Sequence, residues 1–311
     1  MRSLARLTLL TLGVGWLGLL GLTLSFEHRR RVDDPPEFVR HPYRESRSCQ
    51  PCHQDIYAQW SSSPHGRAFV SVQPRNMAFS EKVQSCLPCH TPEPVLGSPP
   101  GAPPLARDWL LQEGVNCVTC HQKGESIAGV REDARGACNP VSTPELLEVE
   151  LCQSCHNAHG TVDQWRASRF PAEGRDCLSC HMAGGDHSMP GAHDHDSLRR
   201  SVELRAFLES QAVKVLVTNA RAGHNLPSGR RSRSMELVVR FSPSGREFRE
   251  RFRNPFRGEG GQNTQIRSGE TRSFVYPVTG DAGVEIELIY QFRPSQPDRN
   301  GVRLHRSSLK L

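Results

Sequence analysis

The sequence predicts an α+β protein in which three differently composed regions follow one another along 311 residues. Residues 7–26 are uncharged and mostly apolar. All eleven cysteines lie between Cys49 and Cys180, in a stretch with many Pro, Gly and Ser residues. From 201 onward there is no cysteine, and apolar residues alternate with polar ones as in strands. These observations predict an N-terminal membrane or signal helix, a region of short helices and loops, and a C-terminal β-sandwich.

The N-terminal segment 1–26 is predicted to be a signal peptide or a signal anchor. Arg2 and Arg6 precede twenty residues without a charge. The apolar region of a signal peptide is typically about 7–15 residues long, whereas a spanning helix needs about 20. Residues 23–25 form the only plausible cleavage site. Either form exports the rest of the chain, and only the anchor keeps it in the membrane. The polar residues 27–44, with Pro35 and Pro36, predict an extended linker.

One pentapeptide pattern, C-x-x-C-H, occurs five times in the region 45–200. The cysteines are Cys49 and Cys52, Cys86 and Cys89, Cys117 and Cys120, Cys152 and Cys155, and Cys177 and Cys180. The histidines that complete these motifs are His53, His90, His121, His156 and His181. Ten of the eleven cysteines are therefore used by a single repeated motif.

The C-x-x-C-H motif is the attachment signature of c-type haem. Its thiols add to the porphyrin as thioethers, and its histidine becomes the proximal iron ligand. A zinc ribbon also uses C-x-x-C pairs but does not require the histidine. A disulfide framework leaves the histidines unexplained, and a thioredoxin-like site is usually single and lies beside a βαβ pattern. We therefore predict five covalently bound haem c groups and a periplasmic or extracytoplasmic location, since this attachment occurs outside the cytoplasm.

The composition agrees with a core that is partly made of cofactor. Only 36% of the residues are hydrophobic and 6% aromatic, which is low for a protein-only core. Large flat porphyrins would supply the missing apolar surface, so we predict that the haems form the core of the region 45–200. The formal charge of +6 would be offset by the two propionates of each haem.

Two of the motifs are followed by similar segments. Gln59-Trp60 follows the first motif, Gln164-Trp165 follows the fourth, and a serine comes three residues after each tryptophan. The first copy ends at His65 and the second at Phe170. A shared helix that packs its tryptophan on a porphyrin explains both copies, and His65 adds a candidate distal ligand.

The Trp-x-x-Ser-x-His pattern resembles the multihaem cytochromes related to tetrahaem cytochrome c-554. Residues 180–194 and 218–229 resemble the same group, and the resemblance covers about 45–235. It implies electron transfer through closely stacked, mostly bis-histidine haems, and some extracellular relatives polymerise into filaments. The chain departs from the four-haem pattern by carrying five motifs.

The histidine content is sufficient for bis-histidine ligation. Of fourteen histidines, nine lie outside the motifs. The distal candidates are His65, His159, His187, His193 and His224. His159 lies too close in sequence to His156 to reach the same iron easily, so it would serve a neighbouring haem. For His28, His195 and His305 we favour ordinary polar roles, and His41 is more simply a solvated residue at the end of the linker.

Cys138 is the one cysteine outside the motifs. A thiolate ligand, an intermolecular disulfide and an unreactive buried thiol are the alternatives for it. An unreactive buried thiol is the simplest of these, and the sequence does not decide among them.

The region 201–311 predicts a small β-sandwich. Its clearest strands are 213–218, 235–241, 271–278 and 284–292. It carries 19 Lys or Arg against 11 Asp or Glu, a net charge of +8. Such a surface suits pairing with propionates or docking of an acidic redox partner, and a merely solvated surface explains it equally well.

The sequence favours an electron carrier without a catalytic residue, although an enzyme is not excluded. The alternatives are a multihaem oxidoreductase that acts on nitrogen or sulfur compounds at one open iron, and a subunit of an extracellular cytochrome filament. No C-x-x-C-K motif, which pentahaem nitrite reductases use at the catalytic haem, occurs here. We expect redox partner proteins, either other cytochromes or a quinol-linked complex. A membrane contact requires the N-terminal helix to be retained, and no nucleic acid is expected.

Overall fold

The computed structural model describes residues 43–72, 81–133, 135–293 and 296–311. The predicted signal or anchor segment, nearly all of the predicted linker, His28 and His41 lie outside these residues. Within the described part of the chain, no helix is both long enough and apolar enough to cross a membrane. Residues Glu45–Leu311 form one compact unit. The predicted division of this unit into domains at 45–200 and 201–311 stays a prediction.

Short helices joined by loops make up the motif region, as predicted. In chain order they are α1 Gln54–Ser62, α2 Ala68–Val72, α3 Glu81–Gln84, α4 Leu87–His90, α5 Cys117–His121, α6 Val149–His156, α7 Thr161–Arg166, α8 Cys177–His181 and α9 His195–Ser201. Four of these helices end on the histidine of a motif.

A small sheet between α5 and α6 was not predicted. Its strands are β1 Gln122–Lys123, β2 Ser126–Gly129 and β3 Val141–Ser142. β1 and β2 form an antiparallel hairpin, and β3 pairs with β2 in parallel. Gly124 has a φ of +60° in the tight turn, a conformation that suits glycine. The strands are too short to produce a recognisable alternation in the sequence.

The C-terminal region is built from longer strands. They are β4 Val202–Glu209, β5 Ala212–Asn219, β6 Ser234–Ser242, β7 Glu247–Phe252, β8 Thr271–Pro277, β9 Gly283–Gln291 and β10 Val302–Lys310. The four strands expected from the sequence correspond to β5, β6, β8 and β9, with ends that differ by at most one residue. The mixed α+β class is therefore confirmed.

Two antiparallel sheets share the main hydrophobic core. One has the strand order β4-β5-β8 and the other β10-β9-β6-β7. Val215 from the first sheet and Leu237, Ile286 and Leu288 from the second are fully buried in one cluster. The alternation along β5 buries every second residue, which is why its apolar side chains meet the facing sheet.

Buried apolar side chains are much sparser around the motifs. A second cluster there contains Leu96, Ala128 and Leu146, with Leu151 packed against it. Trp60, Phe69 and Phe170 are also buried but lie outside that cluster. This difference between the two regions agrees with the prediction that a cofactor fills part of the interior around the motifs.

Candidate haem-binding sites

The cysteines and the histidine of a motif lie together because the motif is helical. Positions three and four residues apart lie on one face of a helix, so Cys117, Cys120 and His121 share a side of α5. The side chain of Asn116 accepts a hydrogen bond from the backbone N–H of Thr119 and caps this helix. Asp176 caps α8 in the same way, from Ser179. These caps fix short helices that would be marginal by themselves.

Three of the five motif histidines are oriented through Nδ1. The Nδ1–H of His121 donates to the carbonyl of Ala128 at 3.0 Å, that of His181 to Pro190 at 2.6 Å, and that of His90 to Ala68 at 2.7 Å. A donating Nδ1 leaves the lone pair of Nε2 free, which is how metal-bound histidines are commonly held.

Three of the motif histidines face a second imidazole. His156 faces His65 with ring centroids 6.0 Å apart, and His121 faces His187 at 6.3 Å. His181 faces His224 at 6.4 Å with an interplanar angle of 9°. All three partners are distal candidates predicted from the sequence.

The separation within each pair fits one metal ion between two imidazoles. A metal–imidazole bond of about 2.0–2.1 Å on either side, plus the radius of each ring, places the centroids about 6 Å apart. The residues present therefore fit the axial ligation that c-type haem requires.

Two of the facing histidines are also held by nearby carbonyls. The Nδ1–H of His187 donates to Gly185 at 2.7 Å, and that of His224 donates to Asn225 at 3.2 Å. A donating Nδ1 leaves the Nε2 atom of each ring available as a ligand atom. His305 differs, because its Nε2 atom bonds the carbonyls of Val202 and Arg199. His305 thus has a structural role, in line with the polar role expected from the sequence.

The imidazoles at these sites are kept neutral. Burial lowers the pKa of His65 to about 3, and the nearby His156 adds to the effect. Burial also lowers the pKa of His224 to about 4. The pKa values of His121 and His156 are lowered for the same reason. Neutral imidazole is the form that binds a metal.

The other histidine candidates are not paired in this way. No ring contact joins His53, His90, His159 or His193 to another imidazole within the described ranges. His159 nevertheless lies close enough to His90 for the charge of His90 to lower its pKa, after burial and the nearby Arg230. The assignment of His159 and His193 stays a prediction.

Cysteines from different motifs lie in pairs. The thiols of Cys49 and Cys117 lie close enough together that each shifts the pKa of the other. The same relation joins Cys89 with Cys155, and Cys152 with Cys177. Since each thiol would hold the edge of a porphyrin, the paired thiols bring those edges together.

A polar network fixes the first motif against the third. The carboxylate of Glu113 accepts hydrogen bonds from the backbone N–H of Ser46 at 3.1 Å and from its hydroxyl at 2.9 Å. The same carboxylate accepts from the side chain of Asn116 at 3.2 Å. The Ser46 hydroxyl in turn accepts from the N–H of Cys117 at 3.4 Å. No local pattern in the sequence indicates this network, because Ser46 lies 67 residues from Glu113.

A family model described as cytochrome c554 and c-prime matches residues 48–122, which hold the first three motifs. A penta-heme cytochrome c552 from Thermochromatium tepidum has a similar fold, with a TM-score of 0.62 and 21% sequence identity. The match covers 86% of this chain and 98% of that chain. The resemblance to the multihaem c-type cytochromes that the sequence predicted is therefore confirmed. Both matches support the expected cofactor, haem c. Since the structural match covers 86% of this chain, it includes at least part of the β region.

Other solved structures match the cytochrome only weakly. The interferon gamma receptor alpha chain from chicken has a TM-score of 0.20 and 13% identity, and the match covers 35% of this chain and 50% of that chain. A superoxide reductase in the oxidised state has a TM-score of 0.19 and 13% identity, with 35% and 86% covered. Neither supports an argument about the cytochrome. No curated protein matches its sequence.

Proposed function

We propose that this cytochrome is an extracytoplasmic electron carrier that holds five haem c groups. The ten motif cysteines bind them covalently, and His53, His90, His121, His156 and His181 are the proximal ligands. When bound, each haem supplies a one-electron ferric/ferrous couple. The observation that carries the proposal is the three pairs of facing imidazoles at 6.0–6.4 Å.

The distal ligands follow from these pairs. His65 serves the motif of His156, His187 serves that of His121, and His224 serves that of His181. His159 and His193 are the remaining candidates for the other two motifs. The nearness of His159 to His90 favours that pair. Two imidazoles on each iron leave no position for a substrate and keep the geometry nearly constant between oxidation states, as a carrier needs.

The nearness of cysteines from different motifs suggests the order in which the haems follow one another in space. The pair Cys49 and Cys117 connects the first motif to the third. Cys120 lies near enough to Cys152 and Cys155 to raise the pKa of both, which supports a position of the third motif near the fourth. The fourth also meets the second through Cys155 and the fifth through Cys152.

The fourth motif therefore occupies a junction in the proposed order. The route runs from the first motif through the third to the fourth and then divides toward the second and the fifth. Such closely placed edges allow electrons to enter at one end and leave at another. The protein contributes the spacing, the axial ligands and the burial that together set the potentials.

The location and partners are proposed on chemical grounds. Covalent haem attachment requires export, so the motifs lie in the periplasm or outside the cell, with segment 1–26 as signal peptide or anchor. The redox partners are other cytochromes or a quinol-linked complex. An acidic partner would suit the region 201–311, which has a net charge of +8. Retention in membranes after an alkaline wash would demonstrate the anchor, whereas a soluble mature protein that begins near Phe26 would demonstrate cleavage.

The carrier proposal is tested by low-temperature EPR of the purified holoprotein during a redox titration. We expect the low-spin signals of six-coordinate haems, titrating over a range of potentials, and no CO binding by the reduced protein. A high-spin haem that binds CO and turns over nitrite, hydroxylamine or sulfite would overturn the carrier assignment in favour of an oxidoreductase.

A further inference from the structure

The two Gln-Trp segments occupy equivalent places. Helix α1 follows the first motif and contains Gln59 and Trp60, while α7 follows the fourth motif and contains Gln164 and Trp165. Both glutamines are partly buried. The carrier function uses neither glutamine directly, so their contacts require a separate explanation.

The two tryptophans make the same hydrogen bond. The indole N–H of Trp60 donates to the carbonyl of Val115 at 2.8 Å, and that of Trp165 donates to the carbonyl of Arg175 at 2.9 Å. Each carbonyl lies two residues before the first cysteine of another motif, Cys117 in one case and Cys177 in the other. Each Gln-Trp helix is thereby attached to the start of a later motif.

The later motifs are also built alike. The first cysteine of each later motif lies near the first cysteine of the motif that precedes the Gln-Trp helix. The pairs that shift each other's pKa are Cys49 with Cys117 and Cys152 with Cys177. Both later motifs are helices capped by the residue before the first cysteine. The chain therefore contains the same two-motif unit twice, and the second motif, which includes Cys86, belongs to an insertion in the first copy.

The glutamine completes the correspondence. The side-chain Oε1 of Gln59 accepts a hydrogen bond from the backbone N–H of His187 at 2.9 Å. The Oε1 of Gln164 accepts from the backbone N–H of Asn225, next to His224, at 3.1 Å. His187 and His224 are the imidazoles that face the later motif of each unit.

We infer that Gln59 and Gln164 are equivalent positioning residues, each of which holds the backbone of the distal-ligand segment for the later haem of its unit. This inference rests on the proposed ligand roles of His187 and His224. The bonds connect segments 128 and 61 residues apart, so they do not arise from local chain geometry. Without the glutamine, a partly buried N–H would lose its acceptor, and the segment that carries the imidazole would be less firmly held.

The two units differ in what they provide to a neighbour. His65 lies five residues after Trp60 and faces His156 of the second unit. The equivalent position, Phe170, is 2% exposed and packs against Gly223, beside His224. The first unit thus gives a ligand to the second, whereas the second unit gives an apolar contact to the β region.

The test compares Gln59→Leu and Gln164→Leu with the holoprotein that carries the natural glutamines. Each variant should retain all its haems by intact mass but bind CO at one haem when reduced. Because a net hydrogen bond changes an opening equilibrium about fivefold, the ligand-off fraction at that haem should rise about fivefold. The double variant should bind CO at two haems.

Rescue and control variants separate positioning from general stability. Gln59→Glu and Gln164→Glu keep an acceptor oxygen and should not bind CO. Gln112→Leu changes an exposed glutamine of the same region and should behave as the unaltered protein. If the leucine variants bind no CO while His224→Ala does create a high-spin haem, the positioning role is wrong and the ligand role stands. If His224→Ala also leaves every iron low-spin, the ligand role itself fails.

Discussion

The imidazole rings of His181 and His224 lie 6.4 Å apart with planes 9° from parallel. One belongs to a motif helix, and the other belongs to the loop that follows strand β5. If both bind the same iron, one coordination centre joins the motif region to the β region. The β region then completes a redox site rather than merely lying beside it.

Replacement of His224 by alanine should convert one low-spin haem into a high-spin or ligand-exchanging haem, because the iron loses one strong axial ligand. The five haems should stay attached, since the thioethers are untouched. EPR counts the low-spin irons, and intact mass counts the haems. His195→Ala is the control, because His195 is exposed in the first turn of α9. An EPR spectrum with every iron still low-spin would rule out the assignment of His224.

Five intact motifs should give five covalent haems in the mature protein. Intact mass and a pyridine haemochrome assay measure this number independently. Cys138→Ala should leave the number unchanged, because Cys138 lies outside the motifs. Cys152→Ala, by contrast, should weaken or abolish attachment at the fourth motif. Four haems in the fully matured natural sequence would show that one motif is not used.

The ion pairs of Asp298 should stabilise the β region in a pH-dependent way. Arg249 donates to both carboxylate oxygens of Asp298, at 3.0 and 2.8 Å, and Arg240 donates at 3.3 Å. The hydrogen bonds from Arg249 lower the pKa of Asp298 below its usual value. The stabilisation is therefore fully present above about pH 4, the unfolded pKa, and is lost as the pH falls through the lower folded pKa.

Asp298→Asn should accordingly lower the Tm of the holoprotein at pH 7, by an amount equivalent to about 1–2 kcal/mol. The difference from the natural sequence should shrink as the pH falls below about 4. Asp133→Asn is the control, since Asp133 and its partner Arg131 are 76% and 74% exposed and such pairs contribute little. A difference in Tm that persists at low pH would contradict the ion-pair explanation.

Arg107 should be indispensable for the loop between the second and third motifs. It is 2% exposed and donates to the carbonyls of Pro92, Trp109, Leu110 and Gly114. Arg107→Met would leave these acceptors without their donors, at a cost of about 3 kcal/mol or more. We expect a lower Tm and faster proteolysis between residues 91 and 115. Arg107→Lys should rescue only part of the loss, because lysine lacks the planar fork of donors. Unchanged proteolysis in Arg107→Met would contradict this role.

The features that the sequence predicted correctly are local ones. The C-x-x-C-H motifs are defined within five residues, and β5, β6, β8 and β9 have recognisable apolar patterns. Strands β4, β7 and β10 were missed. Along β7 the exposed charged residues alternate with partly buried Phe248 and Glu250, so its pattern is weakly apolar. Edge strands with one exposed face have little apolar periodicity to detect.

The sequence predicted individual residues of the candidate haem sites but not how these residues pair. The sequence supplied His65, His187 and His224 as candidates but not their partners, since each pair is formed by distant parts of the chain. The hydrogen bond between Gln59 and His187 spans 128 residues and has no local signal. The repeated Gln-Trp pattern was the one visible clue, and its meaning depends on the two loops that the glutamines hold.

The uneven distribution of buried apolar residues has a consequence for how the two regions fold. Within the described residues, one cluster of nineteen buried side chains joins the strands of the β region, whereas the separate cluster near the motifs has three. The strands of the β region can therefore pack on one another without a cofactor. If haem fills the interior around the motifs, the motif region packs fully only after haem attachment. Attachment and folding would then be a single process in that region, and a chain with a missed attachment step would stay more open to proteolysis.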